Sequence, residues 1–212
     1  RNALTVLRKL FPRHVDVDRY TVMLTQDDLW LDTAEFERLL EHTADPETNL
    51  LQYETAVSLY RGSFLDGFDA PGAPAYDDWL DAMRLRFHDA QVFALLHLAQ
   101  WQMERRDYTA SLDFLAQLLA LEPGSEAAHR MKMRLLARLG HRSAAIMQFE
   151  ACRRYLAEEL GVDPDAETMA VYDLLLEGKL DQDLVAPPVQ LAQRADVDAS
   201  SSPSLTPSSV QI

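Results

Sequence analysis

Apolar side chains recur along this chain at helical spacing, in blocks closed by glycine or proline. Leu4, Leu7 and Phe11, extended by Val6 and Leu10, give residues 2–11 one apolar face before Pro12 ends the run. The period then changes. Val15 and Val17 alternate with acids, and Tyr20, Val22 and Leu24 alternate again, so His14–Thr25 is predicted to form a short β-hairpin. Leu29-Trp30-Leu31 leads into a helical body. There Asp32-Thr33-Ala34-Glu35 has the spacing of a capping box, offering Asp32 to the third backbone N–H of a helix that runs to about Thr43. Asp45-Pro46 starts the next helix, with Leu50, Leu51, Ala56, Leu59 and Tyr60 as its inner stripe. Residues 61–68 form a compact non-helical segment whose Phe64, Leu65 and Phe68 are expected to fold back onto the helices. After Pro71 and Pro74, helices are predicted over about Asp77–Arg105, Tyr108–Leu121, Ser125–Leu139 and Ser143–Leu160. Leu112, Leu115, Leu118 and Leu119 make one inner face, and Ile146, Phe149, Leu156 and Leu160 another. Gly161 suits a helix C′ position, and Asp163-Pro164 opens a last helix to about Glu177.

Two of these blocks superpose. Residues 106–115 align with residues 140–149 at a constant offset of 34, the period of a tetratricopeptide repeat. In such a repeat a small residue four before a large one lets two antiparallel helices touch. Ala145 and Phe149 obey that rule fully, Ser111 and Leu115 loosely. The fold class that follows is all-α: TPR-like stacked helical hairpins, preceded by a short helix and a β-hairpin. Stacked hairpins ordinarily present a surface to another macromolecule, so recognition is expected here rather than chemistry.

Composition narrows the function classes. The chain has 212 residues, 48% of them hydrophobic, enough for one good-sized core or two small ones. A single cysteine, Cys152, excludes an intrachain disulfide and any paired-cysteine metal motif. It falls 34 residues after Leu118 and reads as a buried core thiol. No apolar stretch approaches the ~20 residues needed to span a bilayer, and there is no signal peptide, so a cytoplasmic location is expected. Arg1 stands where an initiator Met is usual, which suggests a fragment or a processed chain. The six histidines show no i,i+4 pairing and point to no metal site; His129 reads as a satisfied structural histidine. Asp77-Asp78 and Glu158-Glu159 are adjacent on their helices and diverge by about 100°, so neither pair shares a proton. Neither a glycine-rich phosphate loop nor a G-x-S-x-G elbow occurs, so no enzyme activity and no cofactor are expected. Trp30, Trp79, Trp101, Tyr60, Tyr76 and Tyr108 are spaced like packing residues.

Charge is uneven. The whole chain carries −14, yet Arg1, Arg8, Lys9, Arg13 and Arg19 face only Asp16 and Asp18 in the first twenty residues, a net +3 that leaves −17 for the remainder. A polyanion is repelled by such a body and tolerated only at the amino-terminal end. Arg8, Lys9, Arg13 and Arg19 are therefore candidates for phosphate contact, and Asn2 and Thr5 for base edges. A solvated helix face is the competing reading of the same residues. From Asp183 onward Pro187-Pro188, six serines and two further prolines leave little to bury, so this end is expected to be a disordered linker or tail.

Four stretches carry a resemblance. They are Leu29-Trp30-Leu31-Asp32-Thr33-Ala34-Glu35-Phe36; Leu59-Tyr60-Arg61-Gly62-Ser63-Phe64-Leu65-Asp66-Gly67-Phe68; residues 126–140 with His129, Met133 and Leu136; and residues 149–164, ending Glu159-Leu160-Gly161-Val162-Asp163-Pro164. In order and spacing they resemble the bacterial transcriptional activator domain (BTAD) of SARP- and AfsR-type regulators. In that family an OmpR-like winged-helix DNA-binding domain precedes a TPR-like activator domain. The resemblance implies three parts: residues 1–31 as the carboxy-terminal part of a truncated winged helix, 32–180 as the activator domain, and 181–212 as linker. It makes residues 2–11 the tail of the recognition helix and residues 14–25 the wing. It further implies transcriptional regulation, with promoter DNA, RNA polymerase or another protein, and a second copy of the chain as partners, and no membrane. Two alternatives stay open: a protein-interaction scaffold without DNA binding, and the amino-terminal part of a larger signalling NTPase regulator.

Overall fold

A computed structural model describes residues 2–17, 22–24, 29–41, 46–68 and 74–180. The chain divides into two units, with Arg1–Leu31 in one and Asp32–Val185 in the other. In the first unit, helix α1 spans Asn2–Leu10. Strands β1 (Val15–Val17) and β2 (Val22–Leu24) pair antiparallel, with Val15 opposite Leu24, Asp16 opposite Met23 and Val17 opposite Val22. That register puts positions 15, 17, 22 and 24 on one face of the ribbon and 16 and 23 on the other, as the alternation predicts. Tyr20 and Thr25 of the expected hairpin lie outside the described residues, as does the expected linker from Asp183 onward.

The second unit is a run of helices: α2 (Asp32–Leu39), α3 (Pro46–Leu59), α4 (Pro74–Glu104), α5 (Tyr108–Leu121), α6 (Glu126–Arg138), α7 (Arg142–Tyr155) and α8 (Ala166–Leu176). A π-helical turn, Leu156–Leu160, continues α7. Three clusters of buried side chains hold them. Phe36, Leu39, Ala56 and Phe87 join α2, α3 and α4. Tyr53, Leu95, Leu98, Leu115, Leu118 and Leu135 are central to the largest cluster, from α3 to α6. Met133, Ala145, Phe149, Val171 and Leu175 lock α6, α7 and α8, with the Tyr172 ring stacked on Phe149 at 3.8 Å between centroids.

The 34-residue offset is a structural repeat. Ser111 and Ala145, Leu115 and Phe149, and Leu118 and Cys152 are buried as pairs, and Leu112 and Ile146 are both half-buried. Both preceding turns are the same left-handed cap. Arg106 and Gly140 have positive φ, 65° and 75°. Asp107 N donates to Gln102 O at 2.9 Å and His141 N to Leu136 O at 2.8 Å, the long bond of a Schellman motif. Gly161, at φ 68°, closes the π-helical turn as expected of a C′ glycine.

Several local expectations are corrected. The capping box does not form: Asp32 already lies in α2 and accepts from its neighbour Thr33 N at 2.8 Å, while Glu35 is engaged by the Arg38 guanidinium at 2.6 and 2.8 Å. Helix α2 ends at Leu39, and Thr43 is outside the described residues. Leu51 is exposed, and Tyr53, fully buried, replaces it in the inner stripe of α3, because the stripe runs through 50, 53, 56–57 and 60 and leaves 51 about 100° away. Of the 61–68 segment, Phe64 folds back onto Phe87 and Trp79, and Phe68, though still partly exposed, meets the Tyr76 ring of α4 edge-on at 6.0 Å between centroids; Leu65 stays exposed. Arg84 secures that turn by donating to Phe64 O at 3.0 Å and Leu65 O at 3.2 Å. Helix α4 starts at Pro74, not Asp77, since proline is tolerated in the first turn. Helix α8 starts at Ala166, capped by Asp165, whose carboxylate accepts from Thr168 N at 2.6 Å. Leu160, at the end of the π turn, is exposed, whereas Leu156 at its start is buried. Trp30 is largely exposed rather than packed inside, whereas Trp79, half-exposed, packs its ring against Phe64 and Tyr76.

Candidate functional site

Helix α1 presents two arcs. Val6, Leu7, Leu10 and Phe11 lie on one side and are exposed. Thr5, Arg8 and Lys9, at i, i+3 and i+4, share the opposite side and are exposed too. Asn2 is the first residue of the helix, on the register of that polar arc. Arg13 follows in the turn after Pro12, exposed; Arg19 lies outside the described residues. Arg8 and Lys9 occupy the last turn of α1, where positive charge opposes the negative end of the helix dipole. Of the residues that the sequence offers for phosphate and base contact, the helix thus gathers Thr5, Arg8 and Lys9 on one exposed face.

A second feature lies in the helical body. Between the end of α5, the start of α6 and the π-helical end of α7 is a cleft of about 280 Å³. His129, buried, forms part of its floor. Gln148 Nε2 lies 2.6 Å from His129 Nδ1, and His129 Nε2 lies 2.9 Å from Pro123 O. The carbonyl can only accept, so Nε2 carries the proton and Nδ1 takes the Gln148 amide N–H. Burial holds His129 below the usual imidazole range and keeps it neutral. That is the satisfied structural histidine expected. Beside it stands Lys132, whose ammonium burial likewise pushes down. Arg154, Glu158 and Glu159 form the rim. Gly124 sits close here: a Cβ at that position would stand 3.1 Å from the Tyr155 ring, tighter than an ordinary contact, so a larger residue would require the ring to shift by a few tenths of an ångström.

Cys152 is buried and free, and burial raises its thiol to about 11, so it stays protonated at neutral pH. The Arg130 guanidinium ties α6 to the start of α8, reaching Asp165 at 2.8 Å, Thr168 Oγ1 at 2.9 Å and Glu167 at 3.1 Å. Among the described residues no cluster of His, Cys, Asp and Glu is arranged to hold a metal ion, and no helix is long and apolar enough to cross a membrane.

Comparison with curated proteins yields no significant match. Residues 31–176 match the family described as bacterial transcriptional activator domain. The match covers well over half of the 212 residues and includes the LYRG turn, both hairpins of the repeat and the closing helix. The chain therefore belongs to the bacterial transcriptional activator domain family, and its role is that of an activator-type transcriptional regulator.

Proposed function

We propose that this regulator works by recruitment: a basic amino-terminal surface on promoter DNA, and the acidic helical body on protein. Residues 1–31 are read as the end of a winged helix, 32–180 as the activator domain and 181–212 as a linker. In this reading the apolar arc of α1 packs against the remainder of the winged helix, while Arg8, Lys9, Arg13 and Arg19 contact phosphates. Asn2 and Thr5 reach base edges. The body mediates self-association and contact with RNA polymerase, in the cytoplasm. The observation that carries the reading is the split of α1 into an apolar arc and a basic one, on a chain whose remaining charge repels DNA.

The test is binding of fluorescent duplex DNA across a salt series, using the regulator with its winged helix. The affinity should fall steeply with salt, and replacing Arg8 and Lys9 together by alanine should reduce the slope of log K against log salt by about 1.8, about 0.9 per phosphate contact. An unchanged slope removes α1 from the DNA surface. No salt-dependent binding at all favours the scaffold reading, for which the exposed Met147, Met169 and Leu176 of α7 and α8 are the natural contact points.

A further inference from the structure

The repeat supplies an internal control for the cleft. At the constant offset, Leu95, Leu98 and Phe114 of the first hairpin correspond to His129, Lys132 and Gln148 of the second. Leu95 and Leu98 are sealed in the largest core cluster, and Phe114 packs against it. In the second hairpin the same three positions are polar and all line the cleft. Apolar side chains there would add burial, as they do one repeat earlier. His129 and Gln148 satisfy each other, but Lys132 does not share in this: among the described residues it makes no hydrogen bond and no ion pair, although it is half-buried. A departure from a chain's own packing rule, without compensation inside the fold, marks a functional position.

The rim repeats the pattern. Arg154 and Glu158 stand four residues apart, a spacing at which opposite charges on a helix can meet, yet they form no ion pair across the π-helical turn Leu156–Leu160. Among the described residues the side chains of Arg154, Glu158 and Glu159 have no ion-pair or hydrogen-bond partner, unlike that of the neighbouring Arg153, which pairs with Glu150 at 2.7 Å. Two cations and two carboxylates therefore border one small cleft without neutralising each other. A purely anionic ligand would meet Glu158 and Glu159, and a purely cationic one Lys132 and Arg154. A ligand carrying both signs satisfies all four. The cleft, at about 280 Å³, falls just under the roughly 300–1,000 Å³ of ordinary small-molecule sites, so it suits only a small ligand.

We propose that this cleft binds a small amphoteric molecule, with a carboxylate and an ammonium on a short apolar body, the chemistry of an amino acid or a peptide end. Lys132 and Arg154 take the acid. Glu158 and Glu159 take the amine, and Leu119 and the Tyr155 ring flank the body. The locked, neutral His129 supports the floor and contributes no charge. The proposal is independent of DNA binding.

The test is an NMR titration of the ¹⁵N-labelled intact chain with the common free L-amino acids, then with dipeptides. Every hit is repeated as its methyl ester and its N-acetyl form. Saturable shifts are expected at Gly124 and at the Gln148 side-chain amide, and either blocked form should bind at least about tenfold more weakly, the loss of one charge-assisted contact. Stronger binding of dipeptides than of free amino acids would identify a peptide end as the natural ligand. Lys132→Leu restores the residue of the first hairpin, so it should abolish binding while leaving the thermal midpoint unchanged or raised. Glu158→Gln, on the exposed rim, should weaken binding with the fold intact. The proposal is overturned if no member of the set binds up to millimolar concentration, if the blocked forms bind as well as the free ones, or if both variants bind like the parent.

Discussion

Hairpin α4–α5 turns through Arg106 and hairpin α6–α7 through Gly140, yet the two turns have the same left-handed backbone and the same pair of cap hydrogen bonds. The small residue at the helix contact is Ser111 in one and Ala145 in the other, and the large one Leu115 or Phe149. Ser111 Oγ donates to Ala99 O at 2.7 Å, a bond that Ala145 cannot make. Asp107 caps α5 by accepting from Ala110 N, whereas His141 makes no side-chain cap. The repeat therefore preserves geometry and burial, not chemistry. What it requires is a residue of suitable volume at each contact and a backbone able to turn left; how the polar groups are satisfied is solved separately in each copy.

Truncating the large contact residue is the strongest way to break this equivalence. Phe149→Ala should cost about 3–5 kcal/mol and Leu115→Ala about 2–5 kcal/mol in urea unfolding. Phe149→Ala should be the worse, because it also deprives Tyr172 of its stacking partner. Equal costs would show that the Tyr172 stack adds nothing.

The turns give a sharper test, since they predict opposite signs. Gly140→Ala puts a Cβ into a left-handed position and should destabilise by about 1–2 kcal/mol. Arg106→Gly relieves the same strain and should stabilise by about 0.5–1 kcal/mol, less because glycine also loosens the unfolded chain. Paired denaturation curves measure both. A destabilising Arg106→Gly would mean that the arginine side chain, not the backbone, holds the first turn.

Ser111→Ala makes the first contact chemically like the second. Losing the hydrogen bond to Ala99 O should cost about 0.5–1.5 kcal/mol, read as a shift of the urea midpoint at constant slope. The smallest effect concerns pH. His129 is held below its ordinary value of 6.5 by burial, so below that pH the unfolded chain takes up a proton that the folded chain refuses. Its contribution is complete above pH 6.5 and is lost as pH falls toward the lower folded value. His129→Leu, the residue type of the first hairpin, should flatten stability over that window. A parallel pH profile in this variant would assign the acid sensitivity to other groups.

Much of the site's setting was readable in the chain, because a 34-residue offset and a glycine left-handed turn are local signals. The polar arc of α1 was readable for the same reason: helical spacing alone gathers Thr5, Arg8 and Lys9. The cleft was not. Its signal was present, since carrying the offset back past Arg106 aligns His129 with Leu95 and Lys132 with Leu98. But its meaning depends on what fills the space beside them. Glu158 and Glu159 looked like ordinary helix-end acids because nothing in their spacing announces a π turn.

By itself the sequence determined the helical class, the hairpin period, the amino-terminal ribbon and the family, all of which follow from side-chain periodicity and from residues that restrict φ. Only the tertiary structure decided that Leu51 and Leu160 face outward, that Arg130 fastens α8, and that Lys132 stands beside Arg154, Glu158 and Glu159. Those outcomes depend on how helices far apart in the chain approach one another, and on which way a single widened turn rotates the residues after it. Local periodicity carries no information about either.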